Sequence, residues 1–253
     1  MNIGLEICAT NLRSVQIAAD AGCDRVELCS CLDAGGLTPS LGLISRAARE
    51  SIQVYVLIRP REGGFVFDQN DLRIMEHDIH ACEQAGASGV VIGALSVDGA
   101  LDISQMDVLK RAAGRMDVTC HRAFDFTRNP SSALEQLIDL GIRRVLTSGQ
   151  AQDARAGIPQ ISALVTQARN RISIMPGAGV NARNIVEIIT QTGVHEIHLS
   201  GKKRMEVAGA LSKISGLDTG HWECDPLVLQ AVIKALQDFQ AHAKDHTTNI
   251  PTV

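Results

Sequence analysis

The chain has no run of the roughly 18 consecutive apolar residues that a membrane span requires. Its first residues, "MNIGLEICATN", lack both the basic start and the long apolar core of a secretory signal. The expectation is therefore a cytoplasmic protein without a membrane partner. Aromatic residues are scarce, with one Trp, one Tyr and five Phe, so the core must be aliphatic. No CxxC pair is present and seven cysteines is an odd count, which argues against a disulfide framework and a structural zinc site. Positive charge is in short supply as well: 24 Lys and Arg stand against 28 Asp and Glu, for a net charge of −4, and the basic residues are scattered. This balance argues against nucleic acid or a membrane surface as the main partner.

What the sequence does contain is a repeating unit, a helix ending in Gly followed by a short apolar run. It appears as "ADAGCDRVELCS", "EQAGASGVVIGA", "IDLGIRRVLTSG" and "TQTGVHEIHLSG". A glycine just past a helix end takes the left-handed conformation that closes the last turn, and a strand follows within a few residues. Counted from these glycines, positions four and six hold Val26/Leu28, Val90/Ile92, Val145/Thr147 and Ile197/Leu199. Positions five and seven hold Glu27/Cys29, Val91/Gly93, Leu146/Ser148 and His198/Ser200. Side chains alternate across a strand, so the two sets face opposite ways. The first set suits packing against helices. In the second, polar or small residues gather toward the strand ends, as they do inside a barrel near its functional mouth.

Further strands are expected near 3–8, 53–59, 117–121 and 172–176. Helices are expected near 11–21, 40–50, 69–85, 104–113, 130–140, 154–169, 181–191 and 225–240, with Asn11, Ser40, Asn70 and Asn181 at their starts. The pattern is α/β: a single eight-stranded (β/α)8 TIM barrel filling residues 1–253, with a short C-terminal tail from about 241. A doubly wound open sheet usually carries a glycine fingerprint in its first βα turn, and "ICATNL" has none.

In such a barrel, function sits where the strands end. Those ends collect Glu6 and Cys8, Glu27 and Cys29, Arg59 and Arg61 in "IRPR", and His121, Arg122 and Asp125 in "HRAFD". Ser148, Gly149, Gly177, Gly179, His198 and Ser200 complete the set. Cys8 and Cys29 share inward parity on adjacent strands about 4.8 Å apart, close enough to share one soft metal ion. Cys23, Cys82 and Cys120 read as packing residues. "LTSGQ" and "PGAGV" are small-residue loops, the second opening onto a helix N-terminus, with backbone N–H groups suited to an anion. Asp125 caps a turn and orients Arg122, or takes part in chemistry.

"LEIC", "GCDRVELCS", "GGLTPSLG", "IRPR", "HRAFD", "RVLTSG" and "PGAGV", in this order, resemble the CutC family, described as copper homeostasis proteins. The resemblance runs from about residue 5 to 201 and implies a cytoplasmic α/β barrel that forms a homo-oligomer, read here as a dimer. It also implies an association with copper, with Cys8 and Cys29 on cysteine positions of the family motifs. The loop after "IRPR" departs from the family's Gly-Gly-Asp-Phe, reading Glu62-Gly63-Gly64-Phe65, and residues 202–224 carry no readable motif.

Two functions follow. In one, Cys8 and Cys29 hold Cu(I), with His121 or His198 as further ligands. In the other, the protein is an enzyme acting on a small anionic or phosphorylated metabolite. Glu27 or Glu6 is then the general base and His121 the general acid. Arg59, Arg61 and Arg122 form an anion clamp with the late loops.

Overall fold

The structure, a computed structural model, describes residues 3–206 and 220–247. Strands and helices alternate through the first four units as β1 (Gly4–Ala9), α1 (Leu12–Asp20), β2 (Arg25–Leu28), α2 (Leu41–Ala47), β3 (Gln53–Leu57), α3 (Gln69–Ala85), β4 (Gly89–Ile92) and α4 (Ile103–Ala112). They continue as β5 (Asp117–Cys120), α5 (Pro130–Asp139), β6 (Arg144–Thr147), α6 (Ile158–Ala168), β7 (Ser173–Pro176), α7 (Ile185–Thr192) and β8 (Glu196–Leu199). A two-stranded antiparallel ribbon, β9 (Lys202–Met205) and β10 (His221–Cys224), precedes the last helix, α8 (Pro226–Thr247). No helix among the described residues is long and apolar enough to cross a membrane.

The eight strands β1–β8 form one parallel sheet in the order β7-β6-β5-β4-β3-β2-β1-β8. Its two edges, β7 and β8, then lie side by side, so the sheet curls into a nearly closed (β/α)8 barrel. Side-chain parity explains the layering. Val26, Val90, Val145 and Ile197 are fully buried between strands and helices, each contributing about 1.5–3 kcal/mol of hydrophobic stabilisation. Cys23, Cys82 and Cys120 pack in this same layer. The repeat glycines do what their position requires: Gly86 closes α3 and Gly193 closes α7, with φ of 86° and 72°.

Several boundaries differ from the sequence reading. Asn11 and Ser40 do cap α1 and α2, each accepting a backbone N–H from three residues on. The cap of α3 is Asp68, not Asn70, because Asp68 and Asp71 exchange hydrogen bonds in a capping box. Asn181 holds a turn ahead of α7, whose first turn starts only at Asn184. Helix α8 continues through Thr247, past the expected start of a tail. Of the stretch without motifs, residues 202–206 and 220–224 form the ribbon, and 207–219 lie outside the described residues.

The ribbon is anchored beside the mouth. The Trp222 carbonyl accepts from Thr10 Oγ1 and Asn11 Nδ2 at 2.9 and 3.1 Å, and Trp222 Nε1 donates to Asp33 Oδ1 at 2.7 Å. At the N-terminal end the barrel interior is ionic. Arg25 bridges Glu6 and Glu196 at 2.5 and 3.0 Å, and Arg144 meets Glu196 at 2.8 Å. The Tyr55 ring lies 5.5 and 5.3 Å from the Arg25 and Arg144 guanidinium carbons. Low aromatic content thus coexists with a barrel floor made of charges rather than stacked aliphatics.

Candidate functional site

A cavity of about 470 Å³ opens at the C-terminal ends of the strands. Cys8, Glu27, Cys29, Arg59, His121 and His198 line it, so most of the expected inward set meets in one place. Glu6 does not line it. Its carboxylate lies one layer deeper, fully buried between Arg25 and His198.

The strands position the floor. Cys8 is the register partner of Glu27, and the Cys29 N–H donates to the Ala9 carbonyl, which carries Cys29 one step farther along. Both cysteines face inward, and their sulfurs lie 3.6 Å apart. His198 Nδ1 donates to Glu6 Oε1 at 2.7 Å, and its Nε2 lies 3.7 Å from Glu27 Oε2. The ligand atoms of Cys8, Glu27 and His198 all lie within 4.8 Å of one another.

Burial and neighbouring charge set the protonation states. Burial opposes a charge on Glu6, but His198 and Arg25 outweigh it and hold this carboxyl below its usual range. Burial likewise opposes a charge on His198. Cys8, Glu6 and Glu27 overcome it and raise its pKa well above the ordinary value, so the ring is an imidazolium. Glu27 has no bonded guanidinium among the described residues, and burial pushes it up to about 7, with His198 pulling the other way. The hydrogen bond with Cys29 and burial raise the Cys8 thiol well above its ordinary value. The floor is thus a protonated thiol beside a carboxyl that titrates near neutrality and a cationic imidazole.

The upper wall is built differently. Arg59 donates to the carbonyls of Ala34, Gly36 and Gly63 at 2.6–2.8 Å, which locks its guanidinium against two loops. The His121 ring lies against Gly93, where a Cβ would come within 2.5 Å of the ring. His121 Nδ1 accepts the Ala123 N–H at 3.1 Å, so the neutral ring carries its proton on Nε2. Burial and then the Arg59 charge lower its pKa to about 3. The expected general acid is therefore a neutral hydrogen-bond donor, and it stands outside the cluster of possible metal ligands. Phe65 lies between the two groups, its ring centroid 5.0 Å from that of His121 and 5.1 Å from the Arg59 guanidinium carbon.

The sixth loop contains its own anion. Asp125 accepts from Thr147 Oγ1, from the Ser148 N–H and hydroxyl, and from the Gln150 N–H, while Arg122 pairs with it at 2.8 Å. Gly149 N–H donates to Thr147 Oγ1 and Gly177 N–H to the Thr147 carbonyl. Of the four expected backbone donors, Gly179 alone keeps an N–H without an acceptor among the described residues, and Ala178–Val180 line the cavity. Arg122 reaches the lining. Arg61 does not, because it turns outward to Asp71 and the Val66 carbonyl.

Sequence reasoning missed Arg25, Arg144 and Glu196, although the parity that placed Glu27 and His198 inward also applies to them. It missed Lys202, which lines the cavity from the ribbon, because no motif marks that segment.

The comparisons with known proteins agree with this architecture. The model of the CutC family matches residues 3–203. A family protein CutC from Pasteurella multocida is 51% identical over 199 residues, covering 78% of this chain and 82% of that protein. One from Vibrio cholerae is 42% identical over 250 residues, covering 96% of each. A solved CutC structure from Streptococcus agalactiae, for which a role in copper homeostasis has been suggested, superposes with a TM-score of 0.75 at 37% identity, covering 78% of this chain and 98% of that one. With its barrel and its inward-facing mouth residues, this chain belongs to the CutC family.

Proposed function

We propose that this protein serves copper homeostasis by binding one Cu(I) ion between Cys8 and Cys29. The observation that carries the reading is the pair of inward sulfurs 3.6 Å apart on a buried floor. Soft thiolates select Cu(I) over hard cations, and a sulfur pair on adjacent strands needs little rearrangement to share one ion. The donor set fits the ion in kind. His198 stands with Cys8 and Glu27 in one cluster of possible ligands, but its two nitrogens face Glu6 and Glu27, so it must lose a proton before it ligates. The Streptococcus agalactiae relative's suggested role points the same way. In this reading the protein works in the cytoplasm as a homo-oligomer, a dimer, without membrane or nucleic-acid partners. X-ray absorption on the copper-loaded protein tests it: two sulfur ligands are expected, and a copper shell of oxygen and nitrogen alone would contradict it.

A second reading has its own observation. Glu27, titrating near 7, faces an imidazolium at 3.7 Å in a cavity large enough for a metabolite. That pair suits an enzyme acting on a small anionic or phosphorylated metabolite, with Glu27 as the base, His198 as the acid and Glu6 holding His198 in place. Arg59 and Arg122 add positive charge at the rim. Carbon-13 NMR of the Glu27 carboxyl tests the premise, since a titration near the ordinary 4.5 leaves only a weak carboxylate base not tuned to neutral pH.

A further inference from the structure

We propose that the wall above the thiol pair is a binding site for the oxyanion end of a small organic molecule, received by His121 Nε2–H and Arg59 Nε–H beside the Phe65 ring. The proposal deepens the second reading and rests on it only for the premise that the cavity takes an organic ligand.

His121 and Arg59 are 4% and 5% exposed, and both line the cavity. Each nevertheless has one nitrogen, Nε2 of His121 and Nε of Arg59, that is closed to solvent and has no hydrogen-bond partner among the described residues. Buried N–H groups are paired in native proteins almost without exception, so two orphans on residues that line one cavity call for an acceptor from outside the chain, which reaches them with a small shift of the groups that cover them. Neither group is free to turn away. The other nitrogens of Arg59 are held by loop carbonyls, and the His121 ring is fixed by the Ala123 N–H and the close approach of Gly93.

The wall specifies the ligand's chemistry by offering donors only. His121 Nδ1 is already used, and a guanidinium has no acceptor. On another side of the cavity, Ala178 and Gly179 take successive positive φ values of 77° and 71°, and their N–H groups have no acceptor among the described residues. Such a wall receives carboxylate or phosphate oxygens and rejects an ammonium group. Phe65, Leu57, Leu146 and Val180 supply apolar surface between the polar points, which suits a ligand body of a few carbons rather than a bare ion. His121 stays neutral through the physiological range, so it donates at every working pH and does not exchange its proton with the ligand.

The test is nitrogen-15 NMR of the histidine side chains in the full-length protein, titrated with butyrate, glycerol 3-phosphate and inorganic phosphate. In the free protein His121 should show the Nε2–H form across neutral pH. At least one organic probe should move that resonance saturably, and butyrate against glycerol 3-phosphate tells carboxylate from phosphate ester. His121→Phe should raise that probe's Kd about tenfold or more, whereas His121→Gln, which keeps a donor, should restore part of the affinity. An Nδ1–H or cationic His121 would overturn the proposal in the wild type alone, whether or not the variants fold. So would a titration in which no probe moves the resonance, or in which inorganic phosphate binds as tightly as the organic probes. Failure of the acid–base reading shows elsewhere, as a Glu27 titration near 4.5, and leaves this result intact.

Discussion

Glu6 and His198 are register partners on β1 and β8, and His198 Nδ1 donates to Glu6 Oε1 at 2.7 Å across that pair. This contact links the ionic floor of the barrel to its mouth. Arg25 and Glu6 meet below it, and His198 Nε2 faces Glu27 and Cys8 above. The state of the mouth is thus set from one layer beneath.

Replacing Glu6 with Gln should bring the His198 pKa down toward or below 6.5, as read from its proton NMR titration. A raised histidine pKa stabilises the fold below its unfolded value and ceases to do so as pH rises through the folded value. The variant should therefore lose more stability at mildly acidic pH than at alkaline pH. Breaking the buried pair with Arg25 adds a loss of about 3–5 kcal/mol at all these values, measurable by urea denaturation.

Glu27 has the opposite acid behaviour from a salt-bridged carboxylate. Its folded value of about 7 exceeds the ordinary 4.5, so the native state holds the proton more tightly than the unfolded chain. Its contribution to stability falls as pH rises between these two values and is level above them. Glu27→Gln should remove that slope and gain stability relative to wild type as pH rises from about 4.5 to 7. Identical pH profiles for the two proteins would show that Glu27 is not raised.

Asp125 fills the backbone nest of the sixth loop, so Asp125→Ala should leave the Ser148 and Gln150 N–H groups and Arg122 Nε without their acceptor. A loss of about 3 kcal/mol is expected from those unsatisfied donors. Added formate should restore part of the variant's melting temperature, with no comparable rise in wild type. Equal responses would mean that the nest does not take a carboxylate.

The barrel was legible because its physics is periodic. A glycine stop, a strand within a few residues and alternating faces place Glu27, Cys29 and His198 inward from the sequence alone. Arg25, Arg144 and Glu196 obeyed the same alternation but sit at strand starts, where charged residues read as loop. Asp125 shows a second limit. Its position in "HRAFD" marks a site, yet only the fold reveals that the LTSGQ loop wraps around its carboxylate. The His121 tautomer was equally hidden, because it depends on one backbone N–H from Ala123. The ribbon escaped notice since "KKRM" shows no apolar alternation.

Competition for Cu(I) against a chelator of known affinity tests the central claim most directly, comparing wild type with a Cys8→Ser/Cys29→Ser variant. Metal binding must displace the Cys8 proton, so affinity should rise with pH. The account predicts about one Cu(I) per wild-type chain, and none held against the chelator by a double variant that remains folded by circular dichroism. Equal copper retention by both proteins would contradict it.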